Sequence, residues 1–185
     1  SPYTLSLHDA LPIYWGQYSP YFTVPSEISA ITPASCEITF VQLLARHGAR
    51  YPTYTKAILY KKLVQHVLTT VDGIEGKFEK KYEFLRSYKW RTGADKLTMM
   101  GVVQLSTMGY KHYQRYQSLA KDTIPFIRST DQNRMMASAL WWIDGFELAR
   151  RADPEHTGPD YTEGYPALFL RSEEHTSELQ SPVLS

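Results

Sequence analysis

Ile38-Thr39-Phe40-Val41-Gln42-Leu43-Leu44-Ala45-Arg46-His47-Gly48-Ala49-Arg50-Tyr51-Pro52 is the stretch on which the reading of this 185-residue chain turns. Its first half is rich in β-branched and large apolar residues and predicts a buried strand over 38–44. Its second half sets one histidine between two arginines where that strand ends. In open α/β sheets ligands bind at the carboxyl ends of strands, and Gly48 removes the Cβ that would keep the backbone away from an anion. Tyr51-Pro52 fixes the exit from the loop, because proline locks its own φ and holds its predecessor extended.

These residue types suit phosphoryl transfer for separate reasons. A neutral imidazole has a lone pair that can attack phosphorus and divide one difficult hydrolysis into two easier displacements. Arg46 and Arg50 stay charged at any accessible pH and present forked donors that match phosphate oxygens. A lone histidine is more often a hydrogen-bonded core residue. The fixed spacing of Arg, His, Gly, Arg and Pro around His47 argues for the site.

Further along, a second apolar stretch, Pro125-Phe126-Ile127-Arg128-Ser129-Thr130-Asp131, also reads as a short strand ending in arginine. If the two strands are parallel neighbours, their tips lie side by side and Arg128 reaches the anion that Arg46 and Arg50 surround. Between the two, Ala57, Tyr60, Leu63, Val64, Val67, Leu68 and Val71 follow helical spacing from Lys56 to Val71, and Asp72-Gly73 is a natural stop. Lys56 falls at the start of this helix, where a cation gains nothing from the helix dipole and is placed instead to face phosphate.

The loop Gly93 to Leu97 ends at Thr98, a predicted N-cap for a long helix through Tyr116 whose methionines and aromatics read as core filling. Asp131 or Asn133 is expected to cap the next helix, with Met135, Ala139, Trp142, Ile143, Phe146 and Ala149 on one face, and Trp141 and Trp142 read as sheet-packing residues. Asp153-Pro154 closes that helix, and 157–166 is a glycine- and proline-rich loop. Near the N-terminus, Trp15 to Phe22 is an aromatic, proline-punctuated segment suited to an extended arm.

Composition excludes several classes. No apolar run approaches a transmembrane length. The basic residues form no clustered stripe of the kind nucleic-acid binders carry, and the Lys77 to Lys81 region reads as a solvated helix face. Cys36 is the single cysteine, so the chain cannot close a disulfide on itself; taken alone it reads as a buried thiol.

The Arg46-His47-Gly48-Ala49-Arg50-Tyr51-Pro52 motif, the Leu97-Thr98 and Gly101 pattern, and Arg128-Ser129-Thr130-Asp131 followed by Arg134 and Ser138-Ala139 together resemble the histidine acid phosphatases. That is the branch of the histidine phosphatase superfamily that includes phytases, and Trp15 to Phe22 resembles the start of fungal phytase catalytic domains. The resemblance spans nearly all of Tyr14 to Pro154.

It implies an α/β fold with a mainly parallel sheet and flanking helices, like that of phosphoglycerate mutase, plus part of a smaller helical domain near Lys61 to Ala120. It also implies that His47 is the nucleophile, that Arg46, Arg50 and Arg128 hold the phosphate oxygens, and that Lys56, Gln17 and Tyr18 contact substrate. No metal or cofactor is implied, since the arginines supply the positive charge. The expected partner is a phosphorylated small molecule, an inositol phosphate, with no nucleic acid and no membrane. By the same resemblance the protein is secreted and Cys36 pairs with a cysteine far downstream.

The family also needs a second histidine followed by an acidic residue to protonate the leaving oxygen. His66, His112 and His156 match no such motif and read as surface or loop residues, so the chain alone is expected to be inactive. Where phytases often carry two more lysines just after the one matching Lys56, this chain has Ile58 and Leu59. That leaves a broad-specificity acid phosphatase as the alternative to a phytase, and a non-catalytic phosphate-binding module as the alternative of another class.

The two ends, 1–13 and 171–185, resemble conceptual translations of the adapter oligonucleotides used in short-read DNA sequencing, which leaves 14–170 as a partial phosphatase domain. Without Arg171, Asp9, Glu173, Glu174 and Glu178 the 20 basic and 19 acidic residues become 19 and 15, a mild excess that suits an anionic substrate.

Overall fold

The computed structural model describes residues 26–27, 31–73, 80–158 and 168–171. Helix α1 (Tyr54–Asp72) follows the loop after the histidine motif, and its bounds lie within two residues of the apolar period read from the sequence. Thr53, at its N-cap, makes no side-chain cap bond. The exposed Tyr54 N–H donates instead to Asp95 Oδ2 at 3.0 Å, so a residue 41 positions away satisfies one of the amides a helix start leaves unpaired. Asp95 reaches that position with φ 59°, a left-handed conformation that aspartate tolerates better than most residues, while its own N–H donates to Pro52 O at 2.9 Å. A 3₁₀ helix (Lys80–Ser87) follows and packs on α1, with Trp90 tilted against Tyr60 at 6.3 Å between ring centroids.

The core is built between α2 (Met99–Arg115) and α4 (Asn133–Arg151). Thr98 caps α2 as its sequence predicts, its hydroxyl accepting from Gly101 N–H at 3.2 Å. Gly101, Leu105, Gly109 and Tyr113 are the buried positions of α2, one every fourth residue, which is the ridge by which helices interlock. A Cβ added at Gly109 would run into Trp142 O, and one at Gly145 into Ser106 O. The two helices therefore meet backbone to backbone. Around this crossing Leu105, Tyr113, Ala120, Trp142, Ile143, Phe146 and Ala149 form one apolar cluster, in which Phe146 stacks on Trp142 and meets Tyr113 edge-on, each at 5.2 Å.

Helix α2 and the short α3 (Gln117–Ala120) continue the helical stretch expected between Lys61 and Ala120, but they pack into the core of α4 rather than apart from it. Trp142, on α4, packs against α2 and not on a sheet, and Trp141 is exposed. Met99 is 76% exposed and Met100 63%, so the core filling expected of these methionines falls to Met108, which is partly buried against the cluster. Gln132 rather than Asp131 or Asn133 occupies the N-cap of α4, with no side-chain cap bond.

Strand β1 (Ile127–Thr130) leads into α4, and β2 (Leu168–Arg171) returns parallel to β1 with Ile127 opposite Leu168 and Thr130 opposite Arg171. This is a strand–helix–strand crossover of the α/β class. The expected strand over 38–44 is not formed: these residues carry no ladder, Phe40 is 78% exposed and Leu44 98%. An apolar strand is stabilised by neighbours on its edges and faces, and among the described residues the sheet has only β1 and β2. Cys36, on the approach to this segment, is exposed rather than buried.

His112 corrects another expectation. It is no surface histidine: it is half-buried on α2, with its ring edge-on to Trp142 at 5.3 Å and tilted on Tyr116 at 4.7 Å. Burial holds its pKa below the ordinary 6.5. The unfolded chain therefore takes up this proton first as pH falls, and stability is lost from about pH 6.5 downward until the folded-state pKa is passed. We expect His112→Phe to flatten the difference in urea midpoint between pH 7.5 and pH 5.5; an unchanged difference would assign the loss to other groups.

Candidate active site

The histidine loop rests on the start of α2. Arg50 and Leu97 form an antiparallel bridge, Tyr51 N–H donates to Lys96 O at 2.9 Å, and Thr98 N–H donates to Ala49 O at 2.9 Å. The Thr98 hydroxyl also donates to Ala49 O, at 3.0 Å. Gly48 is buried against this helix, where an added Cβ would lie 2.5 Å from Gly101 O and 2.5 Å from Leu105 Cδ2. The glycine is thus required by the packing of the loop on α2. In the same contact, a Cβ on Gly101 would meet Ala49 O.

Within the loop, His47 Nδ1 lies 2.8 Å from Gly48 O, and Arg50 Nε–H donates toward His47 Nε2 at 3.4 Å. A carbonyl oxygen only accepts, so the proton of the neutral imidazole sits on Nδ1 and Nε2 keeps its lone pair. The Arg50 contact is longer than a strong hydrogen bond, so the guanidinium gives it up readily to an anion. Arg50 Nη1–H is anchored on Tyr51 O at 2.8 Å. The result is a half-buried imidazole with its free nitrogen facing a fixed cation, the arrangement a nucleophile needs for attack on a phosphate ester.

Of the other predicted site residues, Arg46 is exposed beside His47, and Lys56 is exposed in the first turn of α1. Arg128 is exposed on β1. Among the described residues, neither the Arg128 nor the Lys56 side chain makes a hydrogen bond or ion pair, and no hydrogen bond joins either to His47. The structure brings His47 and Arg50 together directly. It relates β1 to the loop through α4, which packs on β1 and whose Ser138 Oγ accepts from Gly48 N–H at 3.2 Å. Gln17 and Tyr18 lie outside the described residues.

Two residues hold the loop: Ser138 on α4, which the sequence reading noted without a role, and Gln104 on α2, which it missed and whose Oε1 accepts from Ala49 N–H at 3.1 Å. Arg134, one turn before Ser138, accepts the Ser138 hydroxyl on its carbonyl at 2.7 Å, and its buried Nε has no hydrogen-bond partner among the described residues. A cavity of about 300 Å³ between α2 and α4, lined in part by Tyr113, Gln117 and Asp153, contains none of the predicted site residues. There the Asp153 carboxylate accepts from Tyr113 Oη at 2.6 Å and Gln117 Nε2 at 2.7 Å. Those bonds hold the Asp153 pKa below the usual carboxylate value, and burial followed by the Asp153 hydrogen bond pushes the Tyr113 phenol up. Among the described residues no cluster of His, Cys, Asp or Glu is arranged to hold a metal ion, and no helix is long and apolar enough to cross a membrane.

The chain belongs to the histidine phosphatase superfamily, branch 2, whose sequence profile matches residues 37–168. Among curated proteins it is similar to Phytase A of Aspergillus fumigatus, 46% identical over 145 residues that cover 77% of this chain and 30% of that protein. Phytase A of Aspergillus oryzae is 47% identical over 141 residues, 75% of this chain and 29% of that protein. The chain thus spans about 30% of the length of these relatives. Among solved structures, the phytase from D. castellii superposes with a TM-score of 0.64 over 85% of this chain and 37% of that one, at 20% identity. At that identity the likeness speaks for the fold.

Proposed function

We propose that the whole protein is a phosphomonoester hydrolase that works through a phosphohistidine on His47, and that its substrate is inositol hexakisphosphate. The observation that carries this reading is the pair of contacts on one imidazole: Nδ1 tied to Gly48 O and Nε2 facing Arg50. The similarity to proteins named Phytase A supports the substrate. In this scheme Nε2 attacks phosphorus, Arg46, Arg50 and Arg128 bind the equatorial oxygens, and Lys56, Gln17 and Tyr18 meet the remaining phosphates.

Protonation of the leaving oxygen falls to a group outside the described residues, which contain no histidine followed by an acidic residue. His112 is engaged with Trp142, and His156 Nδ1 lies 2.6 Å from Lys121 O. The reading includes secretion, a disulfide from the exposed Cys36 to a cysteine elsewhere in the whole protein, and 14–170 as its phosphatase portion.

A second reading, a broad-specificity acid phosphatase, is favoured by Ile58 and Leu59, which are exposed on α1 two and three places after Lys56. A densely charged substrate gains less from such a face than from one bearing lysines. The two enzymes separate in the whole protein by comparing kcat/KM on inositol hexakisphosphate and on an aryl phosphate. We expect a preference for the inositol phosphate of about tenfold or more, about 1.4 kcal/mol of transition-state discrimination. Equal rates, or faster aryl phosphate hydrolysis, would establish the acid phosphatase. Binding of phosphate with no turnover of either would leave a binding module.

A further inference from the structure

We propose that Gln104 and Ser138 are positioning residues that set the tautomer of His47, an inference that rests on His47 acting as the nucleophile. The two peptide groups that follow the histidine are each clamped by one of them. The peptide between His47 and Gly48 presents its N–H to Ser138 Oγ at 3.2 Å, and that hydroxyl is itself oriented by donating to Arg134 O at 2.7 Å. The peptide between Gly48 and Ala49 presents its N–H to Gln104 Oε1 at 3.1 Å and its carbonyl to His47 Nδ1 at 2.8 Å.

One peptide plane is therefore held at both ends. A rotation that turned Gly48 O away from the imidazole would also break the Ala49 bond to Gln104. Donating a hydrogen bond from the N–H end of an amide polarises its carbonyl and strengthens what that carbonyl accepts. Gln104 thus makes Gly48 O a better acceptor for the Nδ1 proton. Ser138 is buried and prevents the preceding peptide from flipping.

The consequence is chemical. With its proton fixed on Nδ1, the imidazole presents the Nε2 lone pair toward Arg50, where an anion is attracted. With the proton on Nε2 there would be no nucleophile on that side. Ordinary packing of the loop on α2 explains neither feature, since Gly48, Thr98 and Gly101 already supply the backbone fit.

The test is the ¹⁵N spectrum of the histidine rings in the labelled 185-residue chain, which separates protonated from unprotonated ring nitrogens without any turnover. In the unaltered chain at neutral pH, His47 should show a protonated Nδ1 and an unprotonated Nε2. In Gln104→Leu and Ser138→Ala the two nitrogen shifts should move toward a common averaged value, and Gln104→Glu, which keeps an acceptor oxygen, should restore the separation. Unchanged His47 shifts in folded Gln104→Leu and Ser138→Ala chains would overturn the proposal. So would an Nε2–H tautomer in the unaltered chain, a result that stands even where the variants do not fold. A fixed tautomer accompanied by no phosphate capture in the whole protein would leave the clamp standing and remove the phosphatase reading.

Discussion

His47→Ala in the whole protein is expected to lower kcat on phosphomonoesters by about 10³-fold or more, the scale on which removal of a nucleophile acts, with KM changed only a few-fold. The split follows from the division of labour at the loop. In the proposed scheme binding falls to Arg46, Arg50 and Arg128, which the substitution leaves in place, and the bond to phosphorus to Nε2. Steady-state kinetics on one substrate distinguishes the cases. A variant retaining a tenth of the activity would show that water attacks without a covalent intermediate, and a KM raised in proportion to the loss of kcat/KM would make His47 a binding residue.

The second large effect is on stability. Glu147→Ala should destabilise the chain by about 3–5 kcal/mol, because it removes the buried carboxylate that faces a buried guanidinium. Arg150 is fully buried, at 0% exposure, and Glu147 is 5% exposed. Their contacts include Nη2–H to Oε2 at 3.0 Å, an ion pair of Nε with Oε1 at 3.0 Å, and Nη1–H to Thr123 O at 3.5 Å. A loss of that size is a large part of the stability of an ordinary domain. Replacing both partners, Glu147→Leu with Arg150→Met, should recover most of it, since a well-packed apolar pair avoids the desolvation of two charges. Urea unfolding of the single and double variants measures this, and a double variant as unstable as the single would place the cost in packing instead of charge.

This pair also shows where the sequence stops being informative. The apolar face of α4 is readable from spacing, and Trp142, Ile143, Phe146 and Ala149 are buried as that spacing requires. Glu147 and Arg150, three residues apart on the same helix, look in sequence like a solvated ion pair of the kind that stabilises helix surfaces weakly. Their burial, with Arg150 reaching Thr123 O, depends on packing that no spacing along the helix reveals.

Local signals fared well for the same physical reason that long-range ones did not. The period of α1, the Thr98 cap and the strand ending beyond Arg128 depend on residues within a few positions of one another. The Asp95 cap of α1 acts across 41 positions, Gln104 reaches Ala49 across 55, and Ser138 reaches Gly48 across 90. No periodicity signals such contacts. The 38–44 segment shows the converse, a strong local preference for strand that goes unrealised where no ladder partner is described beside it.

At the site, the motif around His47 pointed to a nucleophile flanked by cations, and the structure sets Arg50 against the His47 ring. What spacing could not supply was the tautomer, which depends on a carbonyl direction fixed by two other helices. Arg128 was legible as a strand arginine, although β1 runs on past it to Thr130 and does not end there. Its approach to His47 in a phosphate complex remains part of the proposed function.

The most direct measurement is to quench the whole protein during turnover, under conditions that preserve phosphohistidine, and to locate the phosphate by mass spectrometry and ³¹P NMR. Phosphate on Nε2 of His47 is the expected result. Phosphate on Nδ1, on another residue, or on none while product accumulates would contradict it.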